Sequence, residues 1–246
     1  MRIARKPIPG LHAVVFDLDG TLARFGVEPS EALARALARR GNLPDPHWPE
    51  RNFLSEAGYA ELLEEVSDER VNGAFFIYGA WAEALQRYLI ANGASPEQAA
   101  RIVADYVQRR LESIELRSGA RELMKRLKGL EGDKLGLITN GPSGLQWAKI
   151  DRLGLREEFD KIIVSGDLGI HKPDIRVFQT MTKALHAEPH ETVYIGDSLY
   201  DDITGAKRAG WWAIWFNTGH RQPDPENAEP DFEVDQFDEL PSLLIP

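Results

Sequence analysis

Cysteine is absent from the 246 residues, so disulfides, thiolate metal sites and cysteine nucleophiles are excluded. No apolar run approaches the roughly 20 residues that a bilayer-spanning helix needs. The opening Met1–Pro7 is basic and lacks the apolar stretch of a secretory signal, so the cytoplasm is the expected compartment. Positive charge is also scarce. There are 29 lysines and arginines against 39 aspartates and glutamates, a formal net charge of -10. A field of that sign repels nucleic acid polymers. It does not exclude small phosphorylated metabolites, because local cations and a metal act over a shorter range. Internal repeats and low-complexity tracts are lacking.

What is present begins with an apolar run, Leu11 to Phe16, that reads as a buried strand of a parallel sheet. It ends in Asp17-Leu18-Asp19-Gly20-Thr21. Two carboxylates emerging from a buried strand have no packing value and need compensation, for which a metal ion is the obvious source. Residues 23–111 then read as helical, with no good strand candidate. Helices are expected over Glu31 to Arg40, over Arg51 to Val66 and over Ala74 to Ala91. Another opens at Ser95-Pro96, with serine as cap and proline at the first helical position. From Ser118 helices and strands alternate, with strands at Leu135 to Thr139, Lys161 to Ser165, Thr192 to Gly196 and Trp212 to Phe216. A helix is expected over Asp202 to Ala209, and Gly219 to Asp231, rich in proline and acid, reads as a surface loop.

The expected fold is α/β: a Rossmann-like, mostly parallel sheet flanked by helices, with an inserted all-helical cap subdomain. Residues 1–22 and 112–246 would form the core and 23–111 the cap. Open parallel sheets place ligands outside the carboxyl ends of their strands. Asp17 and Asp19 follow the first strand, Thr139-Asn140-Gly141 the second, Lys172-Pro173 the third and Asp197 the fourth, with Asp201 and Asp202 just beyond. Each alone reads equally as a turn, a solvated lysine or a helix cap. Together, in this order and with these chemical types, they point to one pocket.

A phosphate monoester is dianionic and repels an incoming carboxylate, and a magnesium ion removes that obstacle. Magnesium takes hard oxygen ligands, which Asp17 and Asp197 supply. Lys172 adds a point charge over the phosphoryl oxygens. Thr139 supplies a hydroxyl, and the backbone amides of Leu18 or Asn140 supply further donors. Asp17 is placed to attack phosphorus in line, and Asp19 to protonate the leaving oxygen and later to accept a proton from water.

These four segments resemble the four signature motifs of the haloacid dehalogenase-like hydrolase superfamily. The resemblance covers nearly the whole chain. It implies that Asp17 forms a phosphoaspartate, that Asp19 is the acid and base, and that the Asp19 backbone carbonyl binds magnesium. It implies that Asp201 or Asp202 supports the metal shell, either by holding a metal-bound water or by orienting Lys172; the spacing favours Asp202. The insertion is similar to the mobile cap of the first structural class of the superfamily. Among its aromatics, Trp48, Phe53, Phe75, Phe76, Tyr78 and Trp81, one or two are candidates to stack on a nucleobase. The stretch Trp215-Phe216-Asn217-Thr218-Gly219-His220-Arg221 resembles nucleotidase-type members. The expected activity is magnesium-dependent hydrolysis of small phosphate monoesters, nucleotides or sugar phosphates. A sugar-phosphate mutase and a non-enzymatic phospho-ligand binding protein are the alternatives.

Overall fold

The computed structural model describes residues 6–27, 86–87, 89–91, 93–130, 132 and 134–246. The chain divides into two compact units, one of Met1–Arg24 with Leu116–Pro246 and the other of Phe25–Glu115.

The first unit is built on β1 (Ala13–Phe16), β4 (Lys134–Thr139), β5 (Lys161–Val164), β6 (Thr192–Gly196), β7 (Trp212–Phe216) and β8 (Phe232–Val234). They form one sheet in the order β5-β4-β1-β6-β7-β8, and every neighbouring pair is parallel. The register aligns Phe16 with Leu137 on one side and with Ile195 on the other. Their carboxyl ends are therefore level. Chain order runs outward from β1 in one direction and then, from β6, in the other. The topological switch thus falls between β1 and β6, where a doubly wound sheet opens a crevice for ligand.

Both sheet faces are covered, which explains the near-continuous apolar character of the strands. On one face Ala13, Val15, Ile138, Ile163, Tyr194, Ala213 and Trp215 share a cluster with Val177, Phe178, Met181 and Leu185 of α5 (Ile175–Leu185). The spacing of those four helical residues gives α5 one apolar side. Asp174 caps its start by accepting from the Arg176 amide, and His186 ends it in the left-handed conformation. The other helices of this unit are α2 (Ala120–Lys128), α3 (Ser143–Arg152), and the short α4 (Ser165–Leu168), α6 (Gly205–Arg208) and α7 (Pro241–Leu244).

In the second unit, α1 (Pro96–Ser113) starts as expected. The Ser95 hydroxyl accepts from the Gln98 amide, the Gln98 side chain accepts from the Ser95 amide, and Pro96 follows the cap. The Arg110 guanidinium lies 3.7 Å over the Phe25 ring. The expected helices at 31–40 and 51–66, most of that at 74–91, and the aromatics Trp48, Phe53, Phe75, Phe76, Tyr78 and Trp81 lie outside the described residues.

Two expectations need correction, and one strand was not foreseen. The insertion does contain a strand: β2 (Ala23–Phe25) pairs with β3 (Ile114–Leu116) where the chain leaves and rejoins the core. Each is three residues long, too short to carry a periodicity. The strand β8 follows the expected surface loop and owes its order to β7, a partner that local pattern does not reveal. The helix expected from Asp202 begins instead as a wide π turn, Leu199–Thr204, that runs into α6. Among the described residues no helix is long and apolar enough to cross a membrane.

Candidate active site

Asp17 leaves β1 with its amide donating to the Ile195 carbonyl at 2.9 Å, so the first residue past β1 is still tied to β6. The chain then turns tightly. The Ala23 amide donates to the Leu18 carbonyl at 2.8 Å and the Gly20 amide to the Ala23 carbonyl at 3.0 Å. Gly20 has φ +88°, and a Cβ there would stand 2.7 Å from the Asp197 carboxylate. Glycine is thus required both by conformation and by the closeness of the β6 loop. Arg117 fastens the turn from outside, donating to the Gly20 carbonyl at 2.9 and 3.2 Å.

Lys172 is the hub. Its side chain is 2% exposed, and its Nζ donates to Asp17 Oδ1 at 2.6 Å, Asp202 Oδ1 at 2.6 Å and Tyr194 Oη at 2.8 Å. The Ile138 carbonyl stands as a fourth, longer acceptor at 3.3 Å, so the three N–H bonds of the ammonium are fully used. Burial opposes the charge, but Asp17 and Asp202 together hold the ammonium well above the ordinary lysine range. Tyr194 passes its own proton to the Ile138 carbonyl at 3.2 Å, and burial pushes its phenol up. The Lys172 backbone is also held: Asn140 donates through Nδ2 to its carbonyl and accepts through Oδ1 from its amide, both at 3.0 Å.

On the β6 side, Asp202 is 1% exposed and spends Oδ2 on the Ser198 amide at 2.9 Å. Asp201 stands outside this contact; its amide donates to the Ser198 hydroxyl, and burial raises its carboxyl. Asp197 is anchored through its carbonyl, which accepts from Trp215 Nε1 at 3.0 Å and from Arg221 Nη2. One carboxylate oxygen each from Asp17, Asp197 and Asp202 lies within 4.8 Å of the others. Burial, then the charge of Asp202, pushes Asp197 up to about 6, against the pull of Arg221, Lys172 and Arg117. Burial likewise raises Asp17, with Lys172 pulling the other way. Three converging carboxylates against one ammonium leave an excess of negative charge, and a hard divalent cation fits that donor set.

The second half of the site is organised by α3. Asp19 turns away from the cluster of Asp17, Asp197 and Asp202. Its Oδ2 accepts from Gln146 Nε2 at 2.9 Å and Lys149 Nζ at 2.7 Å. Gln146 also donates to Thr139 Oγ1. The Thr139 hydroxyl proton thus remains directed elsewhere. Thr139, the last residue of β4, the loop residues Asp17, Asp19, Asn140, Lys172 and Asp197, and Asp201 and Asp202 of the π turn therefore all lie at one rim of the sheet.

Tyr194, Gln146, Lys149 and Arg117 join the site without a mark in the motifs, and Trp215 and Arg221, known from the sequence only as the ends of a nucleotidase-like stretch, join it as donors to the Asp197 carbonyl. Tyr194 sits in a strand that reads as apolar, so its hydroxyl gave no signal. Gln146 and Lys149 carried one: they are three residues apart on a helix immediately after Thr139, hence on one side of it.

Residues 11–210 match the family model described as haloacid dehalogenase-like hydrolase. A glyceraldehyde 3-phosphate phosphatase of Methanopyrus kandleri is 31% identical over 94% of this chain and 95% of its own. The pyrimidine 5'-nucleotidase YjjG of Escherichia coli is 35% identical over 51% of this chain and 55% of its own. Among solved structures, the HAD hydrolase YfnB of Bacillus subtilis, bound to magnesium, superposes with a TM-score of 0.70. It covers 96% of this chain and 99% of its own at 24% identity, a likeness of fold. With the strand-end carboxylates, the buried lysine and the hydroxyl at one rim, the chain belongs to the haloacid dehalogenase-like hydrolase family, as a phosphoric monoester hydrolase of the phosphatase type.

Proposed function

We propose that the protein hydrolyses small phosphorylated metabolites through a phosphoaspartate on Asp17, with magnesium as its ion. The observation that carries this reading is the placement of Asp17. It is a buried carboxylate with one oxygen fixed by Lys172 at 2.6 Å and the other accepting no hydrogen bond from the described residues. A nucleophile held by one oxygen and open at the other is aimed.

Asp17, Asp197 and the Asp19 carbonyl would hold the magnesium ion, with Asp202 behind them orienting Lys172. The ion, when bound, offsets the charge of Asp17 and of the phosphoryl oxygens. Lys172 and the Thr139 hydroxyl then bind the phosphoryl oxygens, with backbone amides of the Leu18 turn and of Asn140. Asp17 bonds to phosphorus as the ester P–O bond breaks. Asp19 gives a proton to the departing oxygen. Water then attacks phosphorus, its proton passes to Asp19, and the carboxylate of Asp17 leaves with inorganic phosphate released.

The relatives named above act on a phosphorylated three-carbon aldehyde and on pyrimidine nucleotides, which supports small phosphate esters as the substrate class. The test is inorganic phosphate release from a panel of triose, sugar and nucleoside monophosphates with phosphoserine and phosphoglycolate. Each is run with magnesium and with a chelator. Magnesium-dependent release from at least one substrate is expected. Isomerisation of a sugar phosphate without release would make the protein a mutase, and no turnover on the whole panel would sink the reading.

A pH dependence follows from Asp197. Its carboxyl, held at about 6 before an ion arrives, must lose its proton to serve as a ligand. Protons therefore compete below that pH. The magnesium concentration giving half-maximal phosphate release is expected to rise about tenfold from pH 7 to pH 5. A half-saturating concentration that stays flat across this interval would show that Asp197 is not a ligand.

A further inference from the structure

Gln146 and Lys149 are buried on one side of α3, 0% and 1% exposed. A buried ammonium is strongly unfavourable unless paired. Its placement against Asp19 Oδ2 at 2.7 Å, beside the Gln146 amide at 2.9 Å, puts two donors on one carboxylate oxygen. The other oxygen, Oδ1, is buried and accepts no hydrogen bond from the described residues. Gly141 makes the arrangement possible. At φ +148° it lies where glycine is favoured, and a Cβ there would meet the Gln146 side chain at 2.9 Å.

We infer that Gln146 and Lys149 are positioning residues that grip Asp19 by Oδ2 and leave Oδ1 as the oxygen that exchanges the proton with the leaving group and with water. This rests on the reading of Asp19 as acid and base. A protonated carboxyl has one carbonyl oxygen, which accepts, and one hydroxyl, which donates. Two donors held on Oδ2 make it the carbonyl oxygen, so the proton belongs to Oδ1. In the first half-reaction the Asp17–phosphorus bond forms and the ester P–O bond breaks while the Oδ1 proton moves to the departing alcohol. In the second, the water oxygen bonds to phosphorus, its proton goes to Oδ1, and the Asp17–phosphorus bond breaks. Nothing is oxidised or reduced. With Gln146 or Lys149 removed, the carboxyl group can rotate and either oxygen can be presented, in the wrong direction.

The test compares p-nitrophenyl phosphate, whose leaving group departs without a proton, with phenyl phosphate, which has nearly the same shape and needs one. The value of kcat/KM covers steps up to departure of the phenol. For Lys149→Met it is expected to fall about tenfold further for phenyl phosphate than for p-nitrophenyl phosphate, and for Asp19→Asn about a hundredfold further. Lys149→Arg should restore much of the selectivity lost in Lys149→Met. Gln146→Met leaves the ion pair in place and should show a smaller selectivity in the same direction, about threefold, so it carries the test if Lys149→Met does not fold. An equal fall for both substrates in Lys149→Met or Gln146→Met, with Asp19→Asn selective, overturns the inference alone. An unselective Asp19→Asn overturns the assignment of Asp19, and the inference with it.

Discussion

Replacing Asp17 with asparagine is expected to lower phosphate release by about 10^4-fold or more while the protein stays folded. Asparagine keeps the shape and still offers an oxygen to Lys172, so the hydrogen bond now 2.6 Å long has a successor. On the proposed reading what is lost is the nucleophile, since a neutral amide has no comparable reactivity toward phosphorus. Stability is expected to hold or to rise. Burial and the charges of Asp202 and Asp197 push the Asp17 carboxyl above its ordinary range, against the pull of Lys172. A carboxyl raised in the folded state binds protons more readily there than in the unfolded chain. Its ionised form is therefore a liability at neutral pH that asparagine removes, and the melting temperature without divalent ions should match or exceed that of the parent. Thermal melting followed by circular dichroism, beside a phosphate-release assay, checks both halves. Activity within tenfold of the parent would remove Asp17 as the nucleophile.

Lys172→Met is expected to be among the most destabilising single changes available in the core, by about 3–5 kcal/mol. Removing the ammonium leaves Asp17 and Asp202, whose side chains are 8% and 2% exposed, facing each other with no charge between them. At about 2–4 °C per kcal/mol for a protein of this size, the melting temperature should fall by roughly 6–20 °C. The deficit should depend on pH. Without Lys172 the Asp17 carboxyl rises further, so the folded state takes up a proton at a pH where the unfolded chain does not. Stability is then gained as pH falls through that interval and lost as it rises. The variant should sit closest to the parent near pH 5 and farthest from it near pH 8. Adding Asp17→Asn to Lys172→Met should recover part of the loss, because one stranded charge is gone. A loss below about 1 kcal/mol with no pH dependence would mean that the three groups are not the coupled set described.

Much of this was legible in the chain itself. Apolar strands covered on both faces are continuous, and their ends are marked by the residues that break the pattern, so Asp17, Thr139 and Asp197 stood out by position. Lys172 and Asp202 stood out by chemical type. What the chain could not reveal was partnership. Tyr194 looked like one more large residue in a strand, and only the approach of Lys172 and of the Ile138 carbonyl gives its hydroxyl a task. Gln146 and Lys149 lay on an ordinary helix until the Asp19 turn, 127 and 130 residues away, came against it. The strands β2, β3 and β8, three residues each, exist because a neighbour supplies their hydrogen bonds. Periodicity reports which side of an element is covered, and it is silent about what covers it.

The level strand ends at the switch between β1 and β6 have a consequence for how the protein is made. Lys172 meets Asp17 across 155 residues of chain, and β6 must dock beside β1 before Asp197 can join them. Contacts of such separation are slow to form, since loop closure must be met before they are rewarded. A chain emerging from the ribosome holds Asp17 early, gains Lys172 only after the third core strand and Asp197 only after the fourth. A carboxylate cluster fit for a divalent ion is therefore a property of the finished topology, and the onset of ion binding, on the proposed reading, would time the closing of the sheet's centre during refolding.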